Sequence, residues 1–167
     1  MCGKDGGRSV RERMIRLLLW AAVLGMMTVI FVFSAQPGPE SDKLTEAAAM
    51  PIAELIAAVR DGDDEAFVLH VYHIAGTILR KAAHVAEYAL LGLLLRLLFR
   101  SSGKAGAALP FLCGVAYAVT DEIHQVFVPG RLGTFTDVLI DALGVAVGVT
   151  ILSMIDKLRR NHHVHHQ

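Results

Sequence analysis

The chain has 167 residues, of which 54% are hydrophobic and 19% charged, and its mean hydropathy of +0.49 is far on the apolar side of soluble composition. That excludes intrinsic disorder, a collagenous repeat and a disulfide-stapled mini-protein, and the length is that of one domain, 1–167. Sixteen Lys plus Arg balance sixteen Asp plus Glu, but the balance hides a local bias along the chain.

Residues 17–33 are seventeen positions without a charge, about 26 Å as a helix, which nearly crosses a hydrocarbon core. The run is long for the core of a signal peptide, and Ser34-Ala35-Gln36 is a weak cleavage site, so a membrane helix is expected over 17–33. An insert over 34–79 follows, with eight acids against two bases. Within it, Ile52, Leu55, Ile56 and Val59 fall at helical spacing behind Pro51, a good first-turn residue, and predict a short amphipathic helix. After a turn at Asp61-Gly62-Asp63-Asp64, residues 66–78 read as an interfacial or re-entrant piece.

A second apolar segment over 82–99 is interrupted by His84, Glu87 and Arg96. A third over 105–127 carries Gly106, Pro110 and Gly114, which predict a kink and small contact surfaces. Thr134 or Thr136 is the expected N-cap of a fourth segment over 136–155, interrupted by Asp141 and Ser153. Gly144 and Gly148, four residues apart, permit close approach to the second or third segment. The expected fold is therefore an all-α, polytopic four-transmembrane-helix bundle with a helical insert between its first two helices.

Basic residues precede the first segment (Lys4, Arg8, Arg11, Arg13, Arg16), join the second to the third (Arg96, Arg100, Lys104) and follow the fourth (Lys157, Arg159, Arg160). The positive-inside rule puts tails 1–16 and 156–167 in the cytoplasm of a cell-membrane protein, with the acidic insert outside. Arg80 and Lys81, at the outer end of the second segment, run against that rule. The basic N-terminus is a topological anchor beside a membrane helix, so nucleic acid is not an expected partner. Cys2 and Cys113 sit at different depths and do not pair. His70 and His73 read as interfacial hydrogen-bonding residues, and the His-rich end, 161–167, as a solvated tail.

This topology gathers the polar groups near one leaflet. Lys81, His84 and Tyr88 share a helical face, with Glu87 on its edge and Arg80 adjoining. Asp121, His124 and Gln125 follow an i, i+3, i+4 pattern with Glu122 beside them, and Arg131 lies in the tight loop after them. Asp137 and Asp141 stand one turn apart and repel unless a cation lies between them; Arg131, Lys81 and His84 are the available partners.

The strings Arg80-Lys-Ala-Ala-His84-Val-Ala-Glu87-Tyr88, Asp121-Glu122-Ile-His124-Gln125-Val-Phe-Val-Pro129-Gly130-Arg131 and Asp137-Val-Leu-Ile-Asp141-Ala-Leu-Gly144 resemble the VanZ-like family, as does the corner Ser34-Ala35-Gln36-Pro37. The resemblance spans residues 15–155 in matching order. It implies a small four-helix integral membrane protein typical of Gram-positive bacteria, in a family whose founding member confers low-level resistance to the glycopeptide teicoplanin without replacing cell-wall precursors. The acidic insert is the part that departs from the family pattern.

One reading of the cluster is scaffold, since polar side chains join helices in lipid at about 1 kcal/mol per contact. The number of titratable groups exceeds what helix registry needs and points to function. In an enzyme of the outer leaflet, Arg80, Lys81 and Arg131 would hold a phosphate or pyrophosphate of a lipid-linked cell-envelope intermediate, with Tyr88 and Gln125 as further binding residues. Glu122 with His124 or His84 would act as base and acid, within a catalytic set that includes Glu87, Asp121, Asp137 and Asp141. Alternatively, the same groups hold a membrane lipid or surface polymer without catalysis, or Glu87, Asp137 and Asp141 form the relay of a proton-coupled carrier, which would need a homo-oligomer. No metal site is assigned and the cofactor is left open: the His and carboxylate residues supply donors, but no HExxH or other ligand spacing is present. Serine hydrolysis and nucleotide chemistry have no motif here, as neither a G-x-S-x-G elbow nor a Walker A loop occurs.

Overall fold

The computed structural model describes residues 4–59, 65–100 and 106–164. Among them are five helices and no strand: α1 (Lys4–Ser34), α2 (Gly38–Val59), α3 (Glu65–Leu98), α4 (Ala108–Gln125) and α5 (Phe135–Val164). The all-α expectation holds. The turn 61–64, Cys2, Lys104 and the last three positions of the His-rich tail lie outside the described residues.

Several expected boundaries are corrected. The first helix begins at Lys4 rather than at residue 17, because nothing between the basic segment and the apolar run breaks a helix. The short amphipathic helix behind Pro51 is instead a 22-residue helix that contains Pro51. One lost backbone hydrogen bond at proline is accepted there because Ala49 and Ala53, on either side of it, are fully buried in a helix that packs on α3. The interfacial piece and the second segment are one 34-residue helix, since His70, Tyr72, His73 and Thr77 add polarity without breaking the helix. Pro110 produces no mid-helix kink: it falls in the first turn of α4, where the missing N–H has no helical partner in any case. Asn161–Val164, expected in a solvated tail, still belong to α5.

Helices α3 and α5 form the most extensive contact, with α2 on α3, α4 on α5 and α1 against α3 and α4. Small residues let the first pair approach closely. A Cβ at Gly144 would lie 2.6 Å from the Val85 carbonyl oxygen, one at Gly92 2.5 Å from that of Val145, and one at Gly148 would overlap the Ala89 carbonyl. The expected approach of the Gly144 and Gly148 face is therefore met, and its partner is α3. Tyr88, Leu91, Val145 and Ala118 form the buried centre with Val23 and Ile30 of α1.

Far from the motif-bearing ends, Asp156 of α5 is gripped by two arginines, Arg100 just beyond α3 at 2.6 Å and Arg96 in its last turn at 3.3 Å. The Arg96 Nε also donates to Ser153 at 3.2 Å. Two stretches, Val10–Ser34 and Phe135–Asn161, with mean hydropathies of 2.4 and 2.3, are long and apolar enough to cross a membrane.

Candidate functional site

The site is built where α1 ends, α4 ends and α5 begins. After Gln125 the chain unwinds through short-range bonds, Phe127 N–H to His124 O at 2.9 Å and Val128 N–H to Gln125 O at 3.0 Å. It then turns at Gly130, whose φ of 74° is left-handed and unfavourable for a residue with a Cβ. This turn docks on the α1–α2 corner, where Gly38 N–H donates to Pro129 O at 3.1 Å. Arg131, projecting from the same turn, donates Nε to the Gln36 carbonyl at 3.1 Å and Nη2 to the Phe33 carbonyl at 3.2 Å. A cation thereby meets two carbonyls at and just beyond the C-terminus of α1.

Thr134 is the N-cap of α5. Its hydroxyl accepts from Asp137 N–H at 3.1 Å and donates to the Asp137 carboxylate at 2.7 Å. Its own N–H donates to Glu122 Oε2 at 2.9 Å, while Gln125 Nε2 donates to Glu122 Oε1 at 2.9 Å. Glu122 is thus a strut between α4 and the start of α5, with both oxygens engaged. Asp137 is also paired with Lys81 of α3, so the Asp137 and Asp141 pair takes its nearest cation from Lys81. His84 Nδ1 stands 3.7 Å from Asp141 Oδ1.

Behind these groups Asp121 is 2% exposed. Its Oδ2 accepts the Ser34 hydroxyl at 2.7 Å and Gln125 Nε2 at 3.3 Å. The Tyr88 hydroxyl is buried and has no hydrogen-bond partner among the described residues.

A cavity of about 310 Å³ opens in front of this wall. Arg80, Lys81 and His84 line it from α3, Glu122 and Gln125 from α4, Arg131 from the loop, and Asp137 and Asp141 from α5. A second cavity of about 270 Å³ shares Arg80, His84 and Arg131 with the first and adds Glu87 and the corner residues Phe33 and Gln36. Residues more than fifty positions apart are thereby gathered on two adjoining hollows.

Of the residues singled out in the sequence, His124 stands apart: its ring stacks on Phe31 with centroids 4.5 Å apart, and it lines neither cavity. Between the two histidines considered as proton-transfer groups, the geometry brings only His84 to the cavity. Tyr88 is fully buried behind the wall rather than on it. Sequence reasoning missed two site residues: Ser34, which bonds to Asp121, and Thr77 of α3, which lines the first cavity. A signal for Ser34 existed, since it is the first polar residue after the uncharged run and heads the Ser34-Ala35-Gln36-Pro37 corner.

The chain matches the VanZ/LLP1 family over residues 19–156, and neither a curated protein nor a solved structure matches it. The match covers α1 from Leu19, the cavity and most of α5, and with the two long apolar helices it identifies a membrane protein. The chain belongs to the VanZ/LLP1 family.

Proposed function

We propose that this chain is a four-pass cell-membrane protein with both termini in the cytoplasm, whose cavity opens to the outer leaflet and binds the anionic headgroup of a membrane lipid or lipid-linked cell-envelope intermediate. Such binding alters how a glycopeptide such as teicoplanin reaches its target. The observation that carries this reading is the cavity of about 310 Å³ bordered by Arg80, Lys81 and Arg131. That volume lies at the lower end for small-molecule sites, and it suits a phosphate-bearing headgroup rather than a whole glycopeptide.

Several features support the topology. Arg96, Arg100, Lys157, Arg159 and Arg160 lie at the end opposite the cavity, in keeping with a cytoplasmic face. Helix α3, with 34 residues, is about 50 Å long, well beyond the ~30 Å hydrocarbon core, so its first turns and α2 stand above the membrane. Arg80 and Lys81 then fall at the outer boundary, where a cavity gives their charges a use. Helices α3 and α4 are too polar to pass as spans by composition, but their charged groups are paired or turned into the cavity, which lowers the cost in lipid.

Both Glu122 oxygens are engaged within the protein, which favours binding over base catalysis at that residue. A second reading, an enzyme acting on the same headgroup with His84 as the proton-transfer group, draws support from the approach of His84 to Asp141.

The test is teicoplanin susceptibility in a sensitive Gram-positive host, with membrane abundance matched across variants. Resistance given by the wild type is expected to be lost in Arg80→Gln and in Lys81→Gln; resistance that survives both overturns the headgroup reading. In a background lacking Cys2 and Cys113, Leu132→Cys, at a position 84% exposed, is expected to react with an impermeant thiol reagent in intact cells while Arg159→Cys does not. The opposite pattern overturns the topology.

A further inference from the structure

We propose that His84, Asp121 and Asp141 form a binding site for a divalent transition-metal cation, of the Mn²⁺ or Zn²⁺ class, at the back of the cavity. The three residues come from three helices, α3, α4 and α5, and one donor atom from each lies within 4.8 Å of the other two. Metal–ligand bonds of about 2.0–2.2 Å put neighbouring donors roughly 3–4 Å apart, so small side-chain rotations close the set on an ion.

The second observation is independent of this convergence. Asp121 and Asp141 are 2% and 1% exposed, and Asp121 Oδ1 and Asp141 Oδ2 accept no hydrogen bond. Buried carboxylate oxygens are normally satisfied, and leaving them bare is costly. A divalent ion bound by two carboxylates and a neutral imidazole gives a site of zero net charge, the least expensive state in a low-dielectric interior. The nearby lysine does not serve this purpose, because Lys81 sits on Asp137. One nitrogen and two oxygens as donors select a transition metal over Ca²⁺ or Mg²⁺, which take oxygen ligands almost alone.

The surroundings are those of a supported ligand set. Ser34 and Gln125 donate to Asp121 Oδ2 and leave Oδ1 without a partner, and outer hydrogen bonds of this kind fix ligating carboxylates. His84 and Asp141 also line the cavity, which supplies both an entry path and an open coordination position. The inference does not rest on the lipid reading, because cation binding is measured on isolated protein without any lipid substrate.

The experiment uses the full chain in detergent without an affinity tag, with His162, His163, His165 and His166 replaced by alanine so that the tail does not bind metal. After chelator treatment and its removal, Mn²⁺ is titrated and the free ion is followed by its electron paramagnetic resonance signal. Saturable binding at one ion per chain is expected, at least tenfold weaker in Asp141→Asn and His84→Ala and unchanged in His124→Ala. Absence of saturable binding to the otherwise native chain overturns the site whatever the variants do, and so does binding that is as tight in folded Asp141→Asn as in the parent. Failure here with success of the susceptibility test would leave a headgroup pocket without a metal; the reverse would leave a metal site without the lipid role.

Discussion

The hydroxyl of Ser34, at the last turn of α1, donates to Oδ2 of Asp121 in α4 at 2.7 Å, joining residues 87 positions apart in a fully buried contact. This bond holds the end of a helix long and apolar enough to cross a membrane against the most buried carboxylate of the motif Asp121-Glu122-Ile-His124-Gln125. It makes the Ser34-Ala35-Gln36-Pro37 corner part of the site rather than a mere connection.

Ser34→Ala leaves Asp121 Oδ2 with only the longer bond from Gln125. Loss of one partner of a buried acceptor costs about 1–3 kcal/mol. A lower midpoint in thermal unfolding in detergent is expected relative to Thr28→Ala, whose hydroxyl bonds only to its own helix and is exposed. Equal midpoints would show that the Ser34 bond contributes nothing.

Glycines at the α3–α5 contact and glycines in open positions should respond with opposite signs. Gly144→Ala drives a methyl into the Val85 carbonyl and the Tyr88 side chain, an overpacking worth about 1–3 kcal/mol. Gly76→Ala meets nothing within 4 Å and gains roughly 0.5–1 kcal/mol from the better helix propensity of alanine. Thermal unfolding of the two variants beside the parent checks the contrast.

At the opposite end, Asp156→Asn should be far more harmful than Arg100→Gln. Asp156 is 7% exposed and the Arg96 side chain 9%, so removing the acid strands a buried guanidinium, at about 3 kcal/mol. Arg100 is half exposed, and losing it costs no more than about 1 kcal/mol. Protease sensitivity of the detergent-solubilised variants is a suitable readout, with Asp156→Asn cleaved fastest.

The α1–α2 corner and the Gly130 turn should behave as one unit. Gly130→Ala puts a Cβ in a left-handed conformation at about 1–2 kcal/mol, and a Cβ at Gly38 would overlap the Gly130 carbonyl. Because the two positions touch, the double variant should lose less stability than the sum of the singles. Strict additivity in a double-mutant cycle would argue against the contact.

Much of this protein was legible in its sequence. Uncharged length predicted the span within α1, and the spacing of Gly144 and Gly148 predicted a close helix contact. Thr134 or Thr136 ahead of Asp137 predicted the start of α5 to within two residues, and Thr134 is the cap that forms. All of these are properties of neighbours along the chain, set by helical rise, side-chain volume and local capping. Helix α3 runs through both the expected interfacial piece and the second apolar segment, because a helix ends only where its backbone bonds are interrupted and the residues between the two interrupt none.

Which side chain meets which was decided by the tertiary structure alone. From spacing, Arg131, Lys81 and His84 were equivalent partners for the two aspartates; in the fold Lys81 reaches Asp137, His84 approaches Asp141, and Arg131 lines the same cavity while donating to carbonyls at the end of α1. His84 and His124 were equally eligible until packing put one on the cavity and the other on Phe31. Local sequence determines the face of a helix on which a group sits, but the rotation and depth at which that helix packs against its neighbours depend on contacts summed over the whole bundle. Those summed contacts bring Ser34, His84, Asp121 and Asp141 from four separate helices to one wall.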